Sequence, residues 1–301
     1  MRLLDPPVLT EEEWTARQAA HERRVDAWVE PHQQRRRAGQ AHPVWDFLFT
    51  YYSQTPGRLR RWHPGLDVVL TGPAAQARLD WPFHTRVGPG VAVDVEAFLA
   101  RRSSAVGWVH GLLSATAGRS AQFGCFGLHE WAMLYRPGAG EVRHEQLPLR
   151  LGQAGTDAVV DSHRVQCSHV DAFRFFTRAG VPRNTLTPTR ETQQQLEQPG
   201  CLHATMDLYK WAYKLSPVVP GELLADCFEL AADVRELDMR ASPYDLGALG
   251  WAPVAIETPA GKAEYVAAQR GFAARGNQLR ARLLEVCRAL LDDRSPGAAL
   301  S

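Results

Sequence analysis

The chain is short of lysine, of closely paired cysteines and of long apolar runs, and each shortage removes a class of function. Of 34 lysine and arginine residues only Lys210, Lys214 and Lys262 are lysines, so arginine is the default cation and two lysines four positions apart stand out. The five cysteines (Cys125, Cys167, Cys201, Cys227, Cys287) are odd in number and widely spaced, with no Cys-x-x-Cys pair. That excludes a disulfide framework and a four-cysteine zinc knuckle, and predicts reduced, mostly buried thiols. No run of 18 apolar residues is present to span a bilayer, and the first thirty residues are charged throughout and lack the apolar core of a secretory signal. The expectation is a cytoplasmic protein with no membrane partner. A Gly-x-x-x-x-Gly-Lys phosphate loop and a dinucleotide fingerprint are also missing, so neither ATP nor NAD is expected.

What is present has the composition of a globular protein: 301 residues, 45% hydrophobic and 22% charged. This length reads as a single domain over 1–301, with a possible N-terminal helical part over 8–62 packed on a core over 94–292. Thr10 followed by Glu13 is a capping box opening a helix whose stripe of Trp14, Val25, Trp28 and Val29 is expected to stop at Pro31. Residues 94–117 repeat at helical spacing, with Phe98, Val106, Val109 and Leu113 inward and Gly118 closing. A short helix follows over 127–135. Residues 64–92 read as a loop-rich connection with one strand candidate over 67–70. Alternation over 142–171 reads as extended hairpins. The remainder is helical, ending in a helix over about 262–291. The expected fold is therefore mainly α, a multi-helix globular domain with a small β element around residues 142–171. One faint internal echo places Leu128-His129 and Leu202-His203 at the same offset from Leu134-Tyr135 and Leu208-Tyr209, suggesting two similar helices with a histidine in each first turn.

The most informative segment is CLHATMDLYKWAYKLSP over 201–217. At about 100° per residue, His203, Asp207, Lys210 and Lys214 fall within a sector of about 60° on a helix otherwise apolar, aromatic or small. So narrow a polar seam predicts a nearly buried helix whose one ionisable edge faces a cleft. That edge offers a carboxylate, a histidine that titrates near neutrality and a lysine whose pKa burial lowers.

Two other segments complement it. If residues 169–175 are extended, His169, Asp171, Phe173 and Phe175 share one face, combining an acid with the aromatic rings that hold a flipped base. Gly127-Leu128-His129-Glu130-Trp131 places Glu130 beside His129 in a first helical turn, where the backbone dipole favours a carboxylate. Together His129, His169 and His203, with Asp171, Asp207 or Glu130, have the donor chemistry for zinc or iron. No His-Glu-x-x-His spacing is present, so a metal site has to be assembled from distant segments. Asp238, Arg240, Tyr244 and Asp245 cluster around a helix end and are expected behind the site. Finally, residues 34–62 carry six arginines, Arg35, Arg36, Arg37, Arg58, Arg60 and Arg61, against one carboxylate, Asp46, interleaved with Trp45, Tyr51, Tyr52 and Trp62. That is the composition of a phosphate-binding surface with stacking aromatics.

These segments carry a resemblance. HPVWDFLFTYYS over 42–53, RLRRWHPG over 58–65, FGLHEWAMLYR over 126–136, CSHVDAFRFFT over 167–177, the 201–217 segment and ELDMRASPYDL over 236–246 resemble bacterial proteins catalogued as 3-methyladenine DNA glycosylases. Together they cover most of residues 8–290. The chain has neither the Leu-Pro-Gly-Val-Gly hairpin with its catalytic Asp nor the paired Cys and His zinc clamp of other glycosylases, so the implied type is not helix-hairpin-helix. The resemblance implies excision of alkylated adenine from duplex DNA without a cofactor. On that reading Asp207 stabilises the oxocarbenium charge, with Asp171 or Glu130 as alternatives, and His203 accepts a proton. Phe173, Phe175 and Trp211 form the pocket, with His129, His169, Asp238 and Arg240 around the substrate and the six arginines on phosphates. A lyase variant uses Lys210 or Lys214 as a Schiff-base amine. The competing expectations are a zinc or iron enzyme acting on a small molecule or modified nucleoside through His129, His169 and His203, and a non-catalytic nucleic-acid-binding protein.

Overall fold

A computed structural model describes residues 6–141 and 146–292. The chain order is β1 (Val8–Leu9), α1 (Glu11–Arg37), α2 (Phe47–Thr50), α3 (Pro56–Leu59), β2 (Val69–Leu70), β3 (His84–Val87), β4 (Gly90–Val93), α4 (Val95–Ala117), α5 (Leu128–Ala132) and α6 (Gly152–Asp161). It continues through α7 (Val170–Phe173), α8 (Gln193–Leu196), α9 (Leu202–Lys214), α10 (Gly221–Arg240) and α11 (Pro259–Asp292). The fold is mainly α with one small sheet, and no helix among the described residues is long and apolar enough to cross a membrane.

α9 lies at the centre because almost nothing on it can face water. Leu202, Ala204, Met206, Leu208, Tyr209, Trp211 and Ala212 are all buried, and a helix apolar nearly all round is stable only when covered on most sides. α10 provides the largest share of that cover, and α11 packs on α4, α9 and α10. The approach of α11 to α9 is close: a Cβ at Gly276 would stand 3.0 Å from Thr205 Cγ2. Each large aliphatic or aromatic side chain fully buried in such an interface contributes about 1.5–3 kcal/mol. The helix over 94–117 forms as α4, with Asp94 capping it and Phe98, Val106, Val109 and Leu113 inward.

Three expectations change, the first being that residues 64–92, read as loop-rich with one strand, hold β2, β3 and most of β4. α1 begins with the capping box of Thr10 and Glu13, but it continues through Pro31 to Arg37, because proline removes one helical hydrogen bond without preventing later turns from forming. The sheet does not lie around 142–171, where the described residues form two isolated bridges, Leu149 with Tyr244 and Val165 with Asn184. Among the described residues of that stretch, 152–161 is helical, since Thr156, Val159 and Val160 recur at the i, i+3, i+4 spacing of one buried face; residues 142–145 lie outside the described set. The sheet instead has the order β1-β2-β4-β3 and is drawn from residues 8–93. Val8 pairs with Val69 in parallel, and β3 and β4 form a hairpin with His84 opposite Val93 and Val87 opposite Gly90. It covers a small second core of Trp14, Trp62, Leu70, Ala75 and Val91. All five cysteines are free thiols.

Candidate functional site

The starts of two helices bring two histidines together. Gly127, in the left-handed region at φ 72°, turns the chain into α5; its missing Cβ would sit 3.3 Å from the Tyr265 ring, so His129 and Glu130 enter the core directly behind it. His203 occupies the matching place in α9. The two rings meet edge to face, 4.5 Å between centres. α10 adds Arg235 and Asp238, three positions apart and hence on one face.

His129 Nε2 lies 2.9 Å from Asp238 Oδ1, and donor atoms of His129, Glu130, His203 and Asp238 all lie within 4.8 Å of one another. All four residues are buried, Asp238 at 0% exposure. Arg235 Nη1 is 3.4 Å from Glu130 Oε1 and 3.6 Å from Asp238 Oδ2. Those contacts are long, and Asp238 Oδ2 has no hydrogen-bond partner among the described residues.

The electrostatics sort the four groups into distinct states. Burial opposes charge on His129, but the Asp238 carboxylate outweighs it and raises the imidazole well above its ordinary range. Burial likewise opposes charge on Asp238, yet His129 holds it well below the carboxylate range. Burial, then the charge of Asp238, pushes Glu130 up to about 7. Burial, then the positive His129, holds His203 down at about 3, so it is a neutral imidazole at pH 7.

A second group adjoins the first through His169, whose ring centre is 5.3 Å from that of His203. His169 Nε2 stands 3.3 Å from Glu197 Oε1 and 3.4 Å from Asp207 Oδ2. Lys210 Nζ donates to Asp207 Oδ2 and Asp171 Oδ2, each at 2.9 Å, and Tyr52 donates its hydroxyl to Asp207 Oδ1. Burial disfavours the Lys210 charge, but Asp207 and Asp171 raise its pKa. Burial works against Asp207 too, and Lys210 and His169 hold it well below the carboxylate range. The lysine ammonium is thus one cation of this second group, and the Arg190 guanidinium, 2.5 Å from Asp171 Oδ1, is another.

A narrow cleft of about 40 Å³ reaches both groups, with Glu130, His203, Asp171 and Arg235 in its wall beside the rings of Tyr51 and Phe175.

The predicted seam on α9 divides. His203, Asp207 and Lys210 converge on the buried groups, whereas Lys214, one turn on, is exposed and lines a separate cleft with Arg58 and Arg61. Residues 169–175 are not extended: α7 is a helical turn starting after His169, so the shared face of alternate residues does not form. Phe175 reaches the cleft, but Phe173 packs on Phe176 and Trp211 on Trp108. Arg240 bonds Ala252 O and pairs with Glu236 and Glu264 at the end of α10. Of the arginines, Arg35 pairs with Asp46 and Arg60 with Asp26, while Arg36 and Arg37 are exposed. Sequence reasoning missed Arg235 and Glu197. Arg235 had a signal, its i, i+3 spacing from Asp238; Glu197 sits in a glutamine-rich loop with none.

Set against protein-family models, curated proteins and solved structures, the chain matches none of them.

Proposed function

We propose that the protein is a metal-dependent enzyme, its ion held by His129, His203 and Asp238, that hydrolyses a small molecule or modified nucleoside. The observation that carries the reading is the buried convergence of His129, Glu130, His203 and Asp238 within 4.8 Å, with Asp238 Oδ2 left without a donor. A buried carboxylate oxygen with no hydrogen-bond partner is costly, and Arg235 Nη1, 3.6 Å from it, is too far to donate one, so a closer cation would satisfy it. Donors about 2.1 Å from a tetrahedral ion stand about 3.4 Å apart, so closing on one asks for side-chain shifts of about an ångström.

Two imidazoles and one carboxylate suit zinc or iron. Such an ion, when bound, polarises a substrate oxygen and acidifies water. The chain's own groups do the rest. His203 is already neutral and presents a lone pair, and His129 gives up its proton to become the second imidazole donor. Glu130, in the wall of the cleft beside these donors, is placed to act as the general base. Arg235, beside Glu130 in the cleft wall, would offer positive charge to an oxyanion forming there.

Elemental analysis of untagged protein tests this. The expected result is close to one zinc or iron per chain, lost in Asp238→Asn and His203→Ala. Trace metal only, after incubation with zinc, iron(II), manganese and cobalt in turn, overturns it.

Base excision of alkylated adenine is the second reading. It is favoured by one observation: Asp171 and Glu130 share the cleft with the rings of Tyr51 and Phe175, an acid beside stacking surfaces. The free space is far below the roughly 300 Å³ of ordinary ligand sites, so either substrate enters only when Phe175 or Tyr51 turns aside. Release of 3-methyladenine from duplex DNA by metal-free protein distinguishes this reading from the first.

A further inference from the structure

A second cleft of about 370 Å³ lies at the C-terminal end of α9, where Lys214 and Tyr213 face Arg58 of α3 and Arg61 just after it, Trp81 ahead of β3, and Arg102 of α4. Four cations line it, and no carboxylate does among the described residues. Several arginines elsewhere are paired: Arg17 with Glu222, Arg24 with Glu229, Arg60 with Asp26 and Arg150 with Glu257. Arg58, Arg61, Arg102 and Lys214 have no such partner among the described residues. Arg60 points away to Asp26 while its neighbours Arg58 and Arg61 turn into the cleft. Like charges gathered at one concavity repel one another, and no carboxylate among the described lining residues offsets that repulsion.

The walls are aromatic as well as cationic. The Arg61 guanidinium stands 5.2 Å from the Trp81 ring centre, and Tyr213 closes the opposite side, its hydroxyl 3.3 Å from Ser53 Oγ. Two lining residues carry buried polar atoms with no hydrogen-bond partner, His63 Nδ1 and Ser216 Oγ. Guanidinium groups match phosphate oxygens in pairs, and a ring face accepts any planar base. The volume lies at the small end of ligand sites, which suits one nucleotide.

We propose that this cleft binds a small phosphate-bearing aromatic ligand of the nucleoside monophosphate class, its phosphate held by Arg58, Arg61, Arg102 and Lys214 and its base against Trp81 and Tyr213. The site is separate from the His129, His203 and Asp238 cluster, and its existence does not depend on a metal.

Titration calorimetry at about 0.15 M salt, with metal-free and metal-loaded protein, tests it. The probes are adenosine monophosphate, adenosine, inorganic phosphate and a twelve-nucleotide single strand. The expected order is the monophosphate tightest, with adenosine and phosphate each weaker by about tenfold or more, as loss of a charge-assisted contact or a stacked ring implies. Arg61→Gln and Arg102→Gln, both at exposed positions, are expected to weaken the monophosphate by about tenfold each while leaving the melting temperature unchanged. Binding that is absent at millimolar ligand, equal for adenosine and its monophosphate, or unchanged in both variants overturns the proposal. Tight binding of the oligonucleotide alone, with a steep salt dependence, also overturns it and makes the cleft part of a nucleic-acid groove. Metal content is unaffected by any of these outcomes, so failure here and failure of the metal reading are read separately.

Discussion

His129 and Asp238 are 109 positions apart in the chain, and their side chains meet at 2.9 Å with both residues almost wholly buried. The contact ties the first turn of α5 to the last turns of α10. Because water cannot replace either partner, truncating His129 leaves Asp238 only the long contact to Arg235. His129→Ala is expected to destabilise metal-free protein by about 3 kcal/mol, the usual cost of breaking a buried pair. Urea denaturation measures it; a loss below about 1 kcal/mol, with m unchanged, shows that the pair is not the tie described here.

Metal should act on stability as well as on content. An ion that binds only the folded chain stabilises it by about 2.7 kcal/mol at a hundred times its dissociation constant. Adding zinc to chelator-treated protein is therefore expected to raise the melting temperature, and dialysis against chelator to lower it again. His203→Ala, which removes a donor that stands neutral at pH 7, should melt at the same temperature with and without zinc. An equal rise in that variant places the ion elsewhere.

How far this arrangement was legible in the sequence differs by residue. The burial of α9 was written in its composition, and the echo between Leu128-His129 and Leu202-His203 marked two histidines that do meet. Asp207 and Lys210 were readable from helical spacing alone. Lys214 was not separable from them, because angle around a helix says nothing of position along it, and one turn carries a side chain 5.4 Å away. The partnership of His129 with Asp238 depends on the packing of α5 against α10, which leaves no periodic trace. Residues 169–175 misled for a local reason: their placement on one face assumed an extended backbone, and so short a segment cannot show which period governs.

Lys210 bridges Asp171 and Asp207, and this arrangement argues against the amine chemistry that a buried lysine can offer. A Schiff base needs a neutral amine, whereas both carboxylates lie 2.9 Å from Nζ and favour the ammonium despite burial. Borohydride treatment in the presence of an abasic-site duplex is expected to trap no covalent adduct, and mass spectrometry showing Lys210 joined to a sugar refutes the assignment. Lys210→Met should destabilise by about 2 kcal/mol, since it removes the charged hydrogen bonds between two carboxylates that keep only Arg190 and His169 as charged neighbours. Pairing it with Asp171→Asn should recover part of that loss, because only one of the two carboxylates then keeps its charge.

Asp46 gives the pH dependence a defined sign. Burial favours its protonation, but Arg35, His32 and the His42 amide outweigh burial and bring its pKa from an ordinary 3.8 down to about 2. The Arg35 contact exists because α1 runs on past Pro31 and carries that guanidinium to the carboxylate. A carboxyl more acidic in the folded chain than in the unfolded chain stabilises the fold in full above the unfolded value. That contribution fades as pH falls from about 3.8 through about 2. Asp46→Asn is therefore expected to cost about 1 kcal/mol or more at pH 6, solvent screening included, and progressively less below pH 4, with the two unfolding curves converging near pH 2. A difference that stays constant between pH 6 and pH 2 assigns the loss to packing instead of to the Arg35 ion pair.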